Sequence, residues 1–201
     1  VGHIERFNPA FKMVNDIDQS PQFIEAHRLS KFNRRGTDVP VVLDLMIHDI
    51  DLVLHLVKSE IKDVRANGVC VVSDSVDMAN TRLEFANGCV ANLTASRISQ
   101  HNMRKLRMFR EDEYTTVDFL EKSVEHYTLT DAPPKNIEKE NVYEISGKRR
   151  KFIIYDKPSI TDYNALREEL AHFINAIRHA HAPHVDGRSG LNALKVALMI
   201  Q

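Results

Sequence analysis

The chain has 201 residues, of which 43% are hydrophobic and 27% charged, and its formal net charge is −1. This composition is that of an ordinary globular protein with a sizeable core. The near-zero charge argues against nucleic acid and anionic membranes as partners, and the lack of any run of about 18 uncharged apolar residues argues against a membrane-spanning helix.

Short elements precede the first long helix. Val1–Asn8 has the pattern of a strand end, and Asn8-Pro9 is typical of a helix N-terminus, with Asn as N-cap and Pro at the first helical position. We expect this short helix to reach about Ile17. Gln22–Phe32 is strand-like, and a Gly-containing loop, Arg34–Asp38, leads to the next helix.

The helix predicted for Val41–Val57 carries the most informative pattern in the chain. Its apolar residues lie all round the helix, which is typical of a buried helix. Acids and imidazoles nevertheless recur at spacings of 4, 3 and 4, namely Asp44, His48, Asp51 and His55. At about 100° per residue they share a stripe roughly 60° wide. Such groups on a buried helix need partners or a cavity, so the stripe predicts the wall of a polar site.

This polar stripe has three interpretations. Asp44 and His48 can be a structural pair, in which the carboxylate orients a buried imidazole. The same pair can serve catalysis, because a neighbouring carboxylate tunes a histidine near neutral pH. By ligand type, His48, Asp51 and His55 can also bind a metal ion, although further ligands cannot be located in the sequence.

Two arginines are further candidates for the site. Arg6 lies near a predicted strand end just before the N-cap, and Arg97 closes a predicted strand after Ser96. Each position suits an arginine that binds an anionic or hydroxyl group of a substrate, and each suits a salt bridge equally well.

From residue 61 onward the pattern changes to consecutive strands with tight connections, which predicts an antiparallel sheet. Asn87-Gly88 is a strong hairpin signal. Within the strand that follows, small apolar residues alternate with Asn92, Thr94 and Ser96, so one face should pack on helices and the other meet solvent, substrate or a second subunit. The predicted strands are Ile61–Ser73, Met78–Phe85, Val90–Ile98, Lys105–Arg110, Thr115–Phe119, Val124–Leu129 and Lys151–Tyr155.

The remaining signals concern the chain's end, its glycines and its cysteines. After a polar loop, Asp131–Asn141, the helical period returns from Asp162, is interrupted at His179–Gly187, and resumes to Ile200.

No two glycines are spaced as G-x-G, so the sequence contains no dinucleotide fingerprint, and it has no G-x-S-x-G elbow. Its two cysteines match no zinc motif, and without a visible signal peptide we expect reduced thiols and a cytoplasmic location.

Three segments, in their order and spacing, resemble one family. Val1–Pro9 (VGHIERFNP), Val41–Leu52 (VVLDLMIHDIDL) and Asn87–Arg97 (NGCVANLTASR) are similar to the C-terminal domain of the glucose–fructose oxidoreductase / inositol dehydrogenase (Gfo/Idh/MocA) family. The late segments Ala165–Ile177 and Gly190–Ala197 also resemble that family's ending. The resemblance covers nearly the whole chain, and its most specific part is the D-x-x-x-H-x-x-D helix.

The resemblance implies an α+β fold, an open and mainly antiparallel sheet with helices on one face, with residues 1–201 as a substrate-binding and oligomerisation domain. Members of the family bind NAD or NADP on an N-terminal Rossmann domain, which matches no part of this chain. Their catalytic Asp–His pair corresponds to Asp44 and His48, and we take Arg6, Arg97 and Asp51 as candidate substrate contacts.

The implied function is the substrate half of an NAD(P)-dependent dehydrogenase of sugars, polyols or nucleotide sugars. The R-F-N-P segment is most similar to members that act on nucleotide-linked amino sugars. We expect the chain to be inactive alone and to form a homodimer or tetramer through its sheet. Two other classes stay open: a non-catalytic oligomerisation or binding module, and a metal-dependent enzyme that uses His48, Asp51 and His55.

Overall fold

The structure is a computed structural model that describes residues 1–15, 20–33, 38–132, 141–146 and 150–201. The α-helices in these ranges are α1 (Pro9–Asn15), α2 (Ile47–Val57), α3 (Ala165–Arg178) and α4 (Gly187–Ile200). A 3₁₀ turn (Ile4–Phe7) precedes α1, and a π-helical turn (Val42–Met46) precedes α2. The strands are β1 (Phe23–Leu29), β2 (Ile61–Val69), β3 (Met78–Phe85), β4 (Val90–Ser96), β5 (Met103–Arg110), β6 (Glu113–Asp118), β7 (Ser123–Thr130), β8 (Val142–Ser146) and β9 (Arg150–Asp156).

These strands form one sheet in the order β2-β3-β4-β1-β5-β6-β7-β9-β8. Neighbours are antiparallel except β1 and β4, which run parallel with Phe23 opposite Val90. The predicted hairpin between β3 and β4 is present, and Gly88 in its turn has a φ of +88°, a conformation that only glycine adopts without strain. The predicted open, mainly antiparallel sheet is therefore confirmed.

The core lies between one face of the sheet and the helices α1, α2 and α4. Alternate residues of the central strands point into it, as the alternation in the sequence predicted: Ile24, Ala26, Ala91, Leu93, Ala95 and Leu106, all 0% exposed. Helix α3 packs on the 3₁₀ turn, and its apolar residues Leu166, Leu170, Phe173, Ile174 and Ile177 remain 48–66% exposed. No helix in the described ranges combines the length and apolarity needed to cross a membrane.

Several predicted boundaries differ from the structure. The strand end predicted for Val1–Asn8 is wrong, because residues 4–7 form a 3₁₀ turn that the amide of Asn8 closes on the carbonyl of Glu5 at 3.1 Å. The predicted N-cap is confirmed, since Asn8 Oδ1 accepts from the amide of Ala10 at 3.1 Å. Strand β8, Val142–Ser146, was not predicted. The predicted end of α1 near Ile17 and most of the predicted loop before Asp38 lie outside the described residues.

Strand β2 ends four residues before its predicted end because Asp77 captures the following backbone. The amides of Val71, Val72 and Ser73 donate to Asp77 Oδ2 at 2.7–3.0 Å, and Arg97 Nε donates to Oδ1 at 3.0 Å. Burial alone would raise the pKa of Asp77, but the hydrogen bonds from Ser73 and the neighbouring amides outweigh it and hold the pKa well below its usual range. Asp77 is therefore a buried carboxylate that shapes this loop.

We expect Asp77→Ala to lower the free energy of unfolding by about 3–5 kcal/mol, because it leaves the buried Arg97 guanidinium without its counter-charge. Urea denaturation at pH 7 measures the change. The matched control is Asp63→Ala, which removes a solvent-exposed ion pair with Arg65 and should have a far smaller effect. Equal effects of the two substitutions would contradict a special role for Asp77.

Candidate functional site

The polar stripe begins in the π-helical turn Val42–Met46. Such a turn closes hydrogen bonds between residues i and i+5, so it rotates less per residue than the α-helix on which the stripe was drawn. As a result Asp44 leaves the line of His48 and is exposed, whereas His48 is half-buried. No hydrogen bond joins these two side chains in the described part of the chain. π-helical turns are frequent at functional sites.

His48 is held by α2 in its neutral form. Its Nδ1 atom is enclosed and has no hydrogen-bond partner within the described ranges. Burial, followed by the charge of Arg28, lowers the pKa of His48 below its usual value, and the opposing effect of Asp49 is smaller. A neutral imidazole at neutral pH has a lone pair that can accept a proton.

A buried ion network surrounds His48, and the stripe did not predict it. Asp49 accepts charge-assisted hydrogen bonds from Arg28, with Nη2–Oδ1 at 2.7 Å and Nε at 3.1 Å from both Oδ1 and Oδ2. Arg28 Nη1 also donates to Glu5 Oε1 at 3.0 Å, and Arg104 Nη1 reaches the same oxygen at 3.3 Å. Burial alone would lower the pKa of Arg28, but Asp49 and Glu5 raise it, so its positive charge is permanent.

A second network binds the predicted substrate contacts Arg6 and Asp51 to each other. Arg6 Nε and Nη2 donate to the two carboxylate oxygens of Asp51, each at 2.7 Å. Arg6 Nη1 lies 2.8 Å from His55 Nδ1, and His55 Nε2 lies 2.5 Å from Asn15 Oδ1. Since a guanidinium only donates, Nδ1 of His55 accepts and Nε2 carries the proton. Neither Arg6 nor Asp51 extends a free charged group toward a substrate in this structure.

The same contacts decide the metal hypothesis. Both carboxylate oxygens of Asp51 bind Arg6, and both nitrogens of His55 have protein partners. Within the described ranges, no three side chains among His, Cys, Asp and Glu are placed to hold a metal ion. In this arrangement the side chains of Asp51 and His55 are directed to protein partners and not to a shared metal position.

His3 is a residue of this cluster that the sequence did not single out. It is 5% exposed, and both its ring nitrogens are buried without hydrogen-bond partners in the described part of the chain. Its ring meets the ring of His48 edge-on, with 5.9 Å between centroids and 88° between planes. His3 Nε2 lies 3.9 Å from Asp51 Oδ1. No pattern in the sequence could have identified it, because its partners lie more than forty residues away.

Arg97, the remaining candidate, belongs to the loop that Asp77 organises. Besides Asp77, its guanidinium donates to the carbonyl of Val76 at 3.0 Å and to Ser75 Oγ at 2.8 Å. The structure thus brings His48, Arg6 and Asp51 together around His3, exposes Asp44 at the helix start, and binds Arg97 to the loop before β3.

The N-terminus of helix α4 is the next feature to consider for cofactor binding. A dinucleotide phosphate needs a Gly-rich turn between a strand and the N-terminus of a helix. Helix α4 does begin at Gly187, but the carboxylate of Asp186 caps it and accepts from the amide of Ser189 at 2.7 Å. The carboxylate of Asp186 therefore satisfies the N-terminus of α4.

Comparison with known proteins gives a consistent result. Residues 11–115 match the model of the GFO/IDH/MocA C-terminal domain. The whole chain is 37% identical over 203 residues to a UDP-N-acetylglucosamine 3-dehydrogenase of Acidithiobacillus ferrooxidans, and it spans 60% of that protein. A solved structure of that enzyme superimposes with a TM-score of 0.84 at 34% identity, over 99% of this chain and 59% of the enzyme.

A more distant solved structure has the same fold. A levoglucosan dehydrogenase in complex with NADH superimposes with a TM-score of 0.74 at 15% identity, over 100% of this chain and 62% of that protein. The chain therefore spans about 60% of the length of each of these relatives.

The His55 network predicts a pH dependence of stability. Burial, then the charges of Arg6 and His184, lower the pKa of His55 from 6.5 to about 4. Between these values the unfolded chain binds a proton that the folded chain does not, so the free energy of unfolding should decrease as pH falls from 6.5 to 4. We expect His55→Gln to show a shallower decrease.

Urea denaturation of both proteins at several pH values between 4 and 7 measures this difference. The control is His101→Gln, which changes an exposed histidine and should leave the slope as in the unsubstituted chain. A slope unchanged by His55→Gln would show that other groups cause the acid sensitivity.

Proposed function

The chain belongs to the GFO/IDH/MocA family, and from this premise we propose that it is the substrate domain of an NAD(P)-dependent dehydrogenase acting on a sugar or nucleotide sugar. The observation that carries the proposal is His48, a neutral, half-buried imidazole in the D-x-x-x-H helix. The 37% identity to a UDP-N-acetylglucosamine 3-dehydrogenase over the whole chain supports a nucleotide-linked amino sugar as the substrate.

The part of the reaction assigned to this chain is the removal of a proton. Oxidation of a secondary alcohol to a ketone removes a hydride from carbon and a proton from oxygen. His48 accepts that proton, since its low pKa keeps it unprotonated before the reaction. Asp44, at the exposed start of the helix, hydrogen-bonds an adjacent hydroxyl of the substrate or turns toward His48 once the substrate excludes water.

In this proposal NAD or NADP binds to an N-terminal Rossmann domain outside residues 1–201. The relatives that the chain matches are longer by about two-fifths of their length, which leaves room for such a domain. The structure of a levoglucosan dehydrogenase with NADH supports a nicotinamide cofactor in proteins of this fold. We expect the chain alone to bind NAD(P) weakly and to be inactive, since its sequence contains no dinucleotide fingerprint.

We expect His48→Ala in the full-length protein to lower kcat by about 10²–10⁴-fold, because a general base is lost, while KM changes little. Asp44→Asn should lower kcat less than Asp44→Ala, since the amide can still hydrogen-bond. Steady-state oxidation of UDP-N-acetylglucosamine with NAD or NADP measures both. His101→Ala, at an exposed position, is the control. Near-normal turnover of His48→Ala would show that His48 is not the base of the reaction.

We further propose that the open sheet face pairs two copies of this chain. Its charged side chains largely neutralise one another, as in Lys105–Asp118 at 3.1 Å and Arg107–Glu25 at 3.7 Å, so covering them would leave few charges unpaired. This face holds more charge than the alternation along β4 indicated. It also carries a row of contacting rings across five strands: Phe23, Phe109, Tyr114, Tyr127 and Tyr155.

Sedimentation equilibrium tests the proposed assembly. We expect a mass of at least twice the 23.0 kDa of one chain at tens of micromolar protein. Thr94→Glu places a charge at the centre of the face, beside Asn80 and His27, and should dissociate the dimer without unfolding it. The control, Glu121→Lys in an exposed turn, should not. A monomer before any substitution would overturn the proposal, and a dimer that persists in Thr94→Glu would place the interface elsewhere.

A further inference from the structure

His3 and His48 form a pair of buried imidazoles that the proposed function does not yet explain. Both nitrogens of His3 and Nδ1 of His48 are enclosed without partners in the described part of the chain. Removing such groups from water without a replacement hydrogen bond is unfavourable, so native proteins rarely leave them unpaired, and those left unpaired often have a functional reason. Three such atoms in two touching rings call for a common explanation.

His3 lies between the carboxylate of Asp51 and the imidazole of His48. His3 Nε2 lies 3.9 Å from Asp51 Oδ1, and the His3 ring lies edge-on to His48 at 5.9 Å between centroids. The Nε2–Oδ1 distance exceeds that of a formed hydrogen bond, and Nδ1 of His3 and Nδ1 of His48 have no hydrogen-bond partner in the described residues. Catalytic hydrogen bonds are often long without substrate and shorten in the substrate complex. Joining Asp51, His3 and His48 therefore requires a rotation of a ring or a bridging water.

We propose that His3 is a positioning residue for His48, with its Nε2–H donated to Asp51 and its Nδ1 accepting the Nδ1–H of His48. The inference rests on the proposed function of His48 as the base. An acceptor at Nδ1 fixes the tautomer of His48 in which Nε2 has the lone pair. Nε2 then takes the proton of the substrate hydroxyl, and His3 accepts the hydrogen bond of the resulting imidazolium.

The charges around the pair agree with these roles. Arg28, Asp49 and Glu5 act on His48, while Asp51 and Arg6 act on His3. Burial lowers the pKa of His3, and Asp51 only partly opposes this effect, so His3 is neutral as well. A neutral imidazole donates at one nitrogen and accepts at the other, which is the arrangement the chain from Asp51 to His48 requires.

Asp51 is suited to be the last acceptor in this proposed series of hydrogen bonds, the one that receives the Nε2–H of His3. Arg6 fixes its carboxylate through two hydrogen bonds of 2.7 Å and so sets its orientation. The exposed Asp44 has no such support in the described structure and makes no hydrogen bond to His48. His3 and Asp51 are thus better placed than Asp44 to fix the His48 ring before substrate binds.

The first experiment reads the histidines directly and does not depend on activity. Imidazole ¹⁵N shifts of the chain, followed against pH, report the tautomer and pKa of His48. We expect the Nδ1–H tautomer in the unsubstituted protein. His3→Phe keeps a ring but removes the acceptor, so it should mix the tautomers of His48 and lower its pKa further. His3→Gln, which retains an accepting oxygen, should restore most of both properties.

The second experiment is the pH profile of kcat for the full-length dehydrogenase. His3→Phe should lower kcat about tenfold, less than loss of the base itself, and should move the acidic limb of the pH profile to lower pH with little change in KM. His172→Phe, a half-buried ring away from His48, is the matched control and should leave the profile unchanged.

The two experiments separate this inference from the proposed function. If His3→Phe alters the titration of His48 but the protein oxidises no sugar, the His3–His48 interaction stands and the function fails. If the protein is an active dehydrogenase and His3→Phe changes neither the titration nor the profile, His3 is packing alone and the inference is overturned. Should His3→Phe not fold, an Nε2–H tautomer of His48 in the unsubstituted protein overturns it equally.

Discussion

Two buried arginine–carboxylate pairs fix the 3₁₀ turn and β1 against α2, the helix that carries His48. Asp49 and Asp51 come from α2, while their partners Arg28 and Arg6 come from β1 and the 3₁₀ turn. Removing one partner of such a pair leaves an unpaired charge in the interior and typically costs about 3–5 kcal/mol. The N-terminal segment is therefore fixed against the same helix that carries His48.

The arginines of these ion pairs also help to keep the histidines unprotonated. Guanidinium groups stay charged at any accessible pH, so Arg28 and Arg6 oppose a second positive charge on His48, His3 and His55 at neutral pH. Burial acts in the same direction and is the largest cause for each ring. A cluster of neutral imidazoles beside compensated charges can accept a proton without first losing one. The arginines and carboxylates thus neutralise one another, and the neutral imidazoles remain as the groups that can take up a proton.

Local patterns in the sequence predicted most of the fold. The alternation along β4, the Asn87-Gly88 turn and the apolar pattern of α2 each depend on neighbours in sequence, and each is confirmed. The parallel pairing of β1 with β4 was not predicted, because the local sequence of a hairpin does not show which distant strand will pair with it. The error at residues 4–7 has a similar cause: Glu5 and Arg6 adopt a turn whose side chains bond to partners that are distant in sequence.

The sequence predicted where the site lies but not which of its side chains contact one another. The stripe on α2 correctly indicated that acids and imidazoles on a buried helix need partners, but the spacing could not separate an acid that pairs with an arginine from one that faces a substrate. Asp51 lies on the same line of the helix as His48, but Arg6, 45 residues away in sequence, binds its carboxylate. Asp44 lies in a π-helical turn, and no pattern in the sequence predicted that turn. Asp49, off the line, holds Arg28 beside His48. In our proposal Asp51 is the acid that orients the base, and it acts through a second imidazole, His3. Because His3 lies outside the helix, the periodicity of the helix could not identify it.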